Sequence, residues 1–67
     1  MPIDRIWDSI KETAQRMGRR AKPLGSEESE RIVEAICLRE GARTVPREAL
    51  EYLARELLRL AEEGRGP

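Results

Sequence analysis

Apolar side chains recur along this chain at helical spacing, in three runs separated by two breaks. In the first run Ile3, Trp7, Ile10, Ala14 and Met17 follow one another at alternating intervals of four and three, and Ile6 widens the stripe. That spacing places all of them along one helical face. Asp4 and Asp8 near the start, and Arg16, Arg19 and Arg20 near the end, match the polarity of a helix dipole, and Pro2 suits a helix start. The pattern predicts a helix over about 3–20.

Lys22-Pro23-Leu24-Gly25 interrupts it, because proline disfavours helical backbone at the residue before it and glycine permits a turn. Ser26 then reads as an N-cap, with Glu27 and Glu28 where a first turn favours negative charge. A second helix is expected over about 26–40, burying Ile32, Val33, Ile36 and Cys37, with Ser29 on the same face. Gly41 is placed to cap its C-terminus. After Ala42-Arg43-Thr44-Val45, Pro46 belongs in the first turn of a third helix, expected over about 45–63, which Thr44 would cap if Pro46 is its second residue. Its seam is Leu50, Leu53, Leu57 and Leu60, bordered by Ala49, Ala54 and Ala61, and Arg47–Glu51, Glu51–Arg55 and Arg59–Glu63 are spaced as outward ion pairs. The fold class is therefore all-α: three short helices in a hairpin or bundle. Residues 1–67 form a single small domain, with 1–24 as a separable N-terminal helix and 25–63 as a helix-turn-helix.

Composition changes this picture by what it withholds. At 67 residues a core rarely supplies more than roughly 3–5 kcal/mol without a staple. An internal disulfide is excluded because Cys37 is the sole cysteine, and the absence of histidine leaves no ligand set for structural zinc. Regular helix packing or association with another chain is what is left. Charged residues make up 39% and aromatics 3%, with no Phe, which suits exposed helices and not a sheet. Arginine outnumbers lysine 11 to 2 and asparagine is absent, as a GC-rich genome or a hot habitat would each produce. No apolar run approaches the ~20 residues of a membrane span, and Met1-Pro2 opens no signal peptide, so a reduced cytoplasm is the expected location.

The net charge is zero but uneven: residues 1–24 carry six basic and three acidic side chains, residues 25–67 seven and ten. Arg16, Arg19, Arg20 and Lys22 form the candidate electrostatic contact. Nucleic acid is one partner for such a group, and simple complementarity to the helix dipole is the other explanation. No aromatic platform accompanies it.

Catalytic chemistry has little to draw on. Triads of the Ser–His–Asp or Cys–His kind need a histidine, and the five glycines stand at breaks rather than in a phosphate loop. Asp4, Asp8 and Glu12 share a helix face, which a solvated acidic stripe explains better than a cation site. Cys37 reads as a small buried residue, with an intermolecular disulfide or a reactive thiol as the alternative, for which no activating histidine exists. Trp7 fits either a core position or, flanked by Ile3, Ile6 and Ile10, an interface anchor. No catalytic, metal or cofactor-binding residue is expected, and no cofactor.

Two resemblances can be read in the landmarks. The order Trp7, Met17, Pro23, Glu34, Gly41, Val45, Glu48 and Ala54 resembles the small helical domain at the C-terminus of the light-independent protochlorophyllide reductase B subunit, also found in stand-alone proteins. It covers about two thirds of the chain, and departs from it where Leu24-Gly25-Ser26 replaces an aromatic-Val-Arg segment. It implies an accessory domain beside a larger redox complex, with no active site of its own. The stretch Gly41-Ala42-Arg43-Thr44-Val45-Pro46-Arg47-Glu48-Ala49, continued by Leu53, Ala54, Arg55 and Leu57, is similar to the loop and central helix of archaeal histones. That implies a handshake dimer with Arg43 near a DNA backbone, but the chain lacks the further loop and helix that a histone requires.

The reading that unites these features is a non-enzymatic interaction or accessory subunit. Its expected partner interface is Ile3, Ile6, Trp7, Ile10, Leu50, Leu53, Leu57 and Leu60, left uncovered in a lone chain and completed by a second copy or a larger protein. The alternative is a small nucleic-acid-binding protein, histone-like or regulatory, using the basic group. No membrane partner is expected.

Overall fold

A computed structural model describes residues 3–19 and 24–64. It contains three helices, α1 (Ile3–Met17), α2 (Ser26–Arg39) and α3 (Arg47–Gly64), and no strand among the described residues. The all-α expectation is met. Pro2, Arg20, Lys22 and Pro23, on which parts of it rested, lie outside the described residues.

α3 is the spine of the molecule. It packs along both α1 and α2, while the α1–α2 seam is the lightest of the three. Trp7 meets Tyr52 and Gly18 meets Ala61, so α1 and α3 run side by side in the same direction, and α2 runs back the opposite way along α3. The result is flattened, 36 × 20 × 14 Å along its principal axes. One core joins all three helices: Ile6, Ile10 and Ala14 from α1, Val33, Ile36 and Cys37 from α2, and Leu50, Leu53, Leu57 and Ala61 from α3. α1 thus belongs to the same core as the helix-turn-helix.

Local chemistry sets the helix ends, and several differ from expectation. Gly41 adopts φ +103°, a conformation in which a side chain is strained. Its N–H bonds the Leu38 carbonyl at 3.1 Å and the Ala42 N–H bonds that of Cys37 at 3.0 Å. These are the paired bonds of a Schellman C-cap. Ala42, buried at 6% exposure, adds the apolar contact that usually accompanies one.

Ser26, expected as the N-cap of α2, is instead its first helical residue. Gly25 occupies the cap in extended backbone (φ −83°, ψ 162°) and offers no side-chain acceptor. The third helix starts at Arg47, two residues later than expected. Val45 precedes a proline and is held out of helical backbone, so Pro46 stands at the boundary and accepts the Leu50 N–H at 2.9 Å. Thr44 is therefore too far upstream to cap it. α1 closes at Met17 rather than Arg20, and Gly18 continues its bonding pattern by donating to the Ala14 carbonyl at 2.8 Å.

Ser29 is fully buried, as the face assignment required, and its hydroxyl donates to the Ser26 carbonyl at 2.7 Å, so no polar group is stranded. Thr13 is also buried, at 5% exposure, and accepts a hydrogen bond from Arg16 at 3.4 Å.

Candidate functional site

The apolar stripes carry the candidate interface, and the fold divides it. Ile6, Ile10, Leu50, Leu53 and Leu57 lie in the interior, Ile10 and Leu57 with no exposed surface at all. These five are corrected from an open edge to the chain's own core. The physical reason is the central position of α3. Its leucine row is covered from one side by α2 and from the other by α1, so the brevity of α2 leaves no gap. Leu60 and Trp7 are partly buried against this core, and Ile3 is 48% exposed.

What stays open is an apolar cleft at the end of the bundle where α1 and α3 begin. Its volume is about 70 Å³, and Ile3, Ile6, Cys37, Val45, Ala49 and Leu53 contribute to its walls. The walls come from all three helices and from the α2–α3 link. Within one helical turn of Ile3 and Ala49 sit the two aromatic rings of the chain. Trp7 and Tyr52 meet edge to face with centroids 6.4 Å apart and planes at 89°, the geometry that the ring quadrupoles favour. Tyr52 is 51% exposed. Ile3, Trp7 and Tyr52 thus lie close to the cleft, with Ile3 in its wall.

Tyr52 escaped the sequence reading because it stands off the 50-53-57-60 seam. The available signal was its rarity: it is one of only two aromatic residues in the chain. Leu38, 53% exposed, lies on the outer face of α2 and was likewise outside the expected set.

Cys37 lines this cleft yet is only 2% exposed. Burial, assisted by the charge of nearby Glu34, raises its pKa above the usual thiol value. The thiol is therefore protonated near neutrality and has no activating base, the opposite of what a nucleophile needs.

The basic group is only partly visible. Arg16 and Arg19 are exposed, and Arg20 and Lys22 lie outside the described residues. A Cβ on Gly18 would stand 2.9 Å from the Ala61 carbonyl oxygen and 3.5 Å from Gly64, so this end of α1 abuts the last turn of α3. Exposed Glu62 and Glu63 occupy that turn, and Glu63 pairs with Arg59 of its own helix. Arg43, the other cation assigned to a nucleic-acid contact, is exposed in the α2–α3 link near the opposite end of α3. Among the described residues, Arg43 lies at the other end of α3 from Arg16 and Arg19.

Elsewhere the surface is ionic. Arg59 pairs with Glu56 at 2.8 Å and with Glu63, and Arg47 pairs with Glu51 at 3.8 Å, so Glu51 turns back to Arg47 rather than forward to Arg55. Arg39 reaches across the light seam to the Ser9 hydroxyl at 3.3 Å. Two open grooves of about 250 and 410 Å³ flank the α2–α3 seam, lined mainly by glutamates, arginines and serines. Among the described residues, no group of three or more histidine, cysteine or acidic side chains is placed to hold a metal ion, and no helix is long and apolar enough to cross a membrane. No protein-family model matches this chain, and neither a curated protein nor a solved structure matches it.

Proposed function

We propose that this chain is a non-enzymatic interaction or accessory subunit that docks through the apolar end of its bundle. The contact surface is Ile3, Trp7 and Tyr52 together with the cleft beside them, and the occupant is a second copy or a larger protein. The observation that supports this reading is the half-exposed Tyr52 held edge-on by Trp7 next to an apolar opening. Two paired aromatics one helical turn from the cleft-lining Ile3 and Ala49 provide large contact area at small entropic cost, as interface anchors do. The chemistry available to the chain agrees: there is no histidine, and the one thiol is buried and protonated. An accessory domain seated beside a larger complex would have these properties.

Sedimentation at micromolar concentration, alone and with co-purifying proteins, tests the proposal alongside the double variant Ile3→Ser, Tyr52→Ser. Both positions are about half exposed, so the variant keeps its helical circular dichroism. Association by the parent and its loss in the variant is the expected result. A parent that stays monomeric and recruits no neighbour, or a variant that associates equally well, overturns it.

A further inference from the structure

We draw no further inference here: the strongest candidate, the apolar cleft between the starts of α1 and α3 with Cys37 in its wall, belongs to the site already described, and nothing in the structure shows what covers it.

Discussion

Three glycines carry opposite consequences because their surroundings differ. Gly18 has no room: a methyl group there would press on the carbonyl oxygens of Ala61 at 2.9 Å and Ala14 at 3.2 Å, both backbone atoms that cannot swing aside. Gly18→Ala should therefore push α1 off α3 and cost roughly 1–3 kcal/mol. Gly25 is the reverse case. Its backbone already has the extended conformation of an N-cap, space around it is open, and the cap residue supplies no side-chain hydrogen bond to α2. Gly25→Ser should add stability, about 0.5 kcal/mol. Gly41 tolerates no such exchange, since its φ of +103° strains any L side chain. Urea midpoints on the first two variants check the signs; a stabilised Gly18→Ala would mean the close approach of α1 and α3 is absent.

Cys37 makes a second prediction at this scale. Its raised pKa means that the unfolded chain gives up the thiol proton before the folded chain does. Stability should thus be insensitive to this group below the ordinary thiol range and fall as pH rises through it. At neutral pH a disulfide reagent should modify native protein slowly and denatured protein quickly. Equal rates would place the thiol at the surface.

At the scale of the helix, the decisive residue is Leu57, fully enclosed in the row that α1 and α2 cover together. Truncating it to alanine should cost roughly 2–5 kcal/mol, comparable with the whole stability of a domain this small. Leu57→Ala is expected to lose most of its helical circular dichroism at 25 °C. The Arg59 pairs lie at the other extreme. The hydrogen bond from Arg59 lowers the Glu56 pKa. A carboxylate shifted this way stabilises the fold above its ordinary pKa and loses that contribution as pH falls below it. Arg59 is exposed and Glu56 only partly covered, so the effect is small and salt weakens it further.

The elements themselves were legible in the sequence because their signals are local. Intervals of three and four, a glycine at 41 and a proline at 46 set the three helices to within a few residues. The candidate site was legible only in part. Which side of a stripe meets its own chain and which meets water depends on how helices are ordered in space, and no local pattern carries that. Leu50, Leu53 and Leu57 have the same spacing whether they face α1 or a stranger. Tyr52 lies outside the stripe, so its pairing with Trp7 becomes visible only once α1 and α3 lie parallel. The seating of Gly18 against Ala61 is another non-local fact, arising from residues far apart in the chain.

For the whole molecule, the single core and the surface ion pairs describe a unit held together by packing beneath an ionic shell. Its topology has a kinetic side. α2 and α3 are neighbours in sequence, joined by the short link 40–46, and can zip together at little loop-closure cost. α1 reaches its place on α3 only through contacts that span most of the chain, such as Trp7 with Tyr52 and Gly18 with Ala61, and it gains little from α2. Native-state hydrogen exchange should reveal the difference: α1 amides should swap with solvent through a partial opening that leaves the α2–α3 hairpin protected. Identical limiting rates in all three helices would mean that the chain opens only as a whole. Since Ile3 and Trp7 ride on that first helix, anything that grips them must also hold α1 shut, and slowed exchange along α1 would register its arrival.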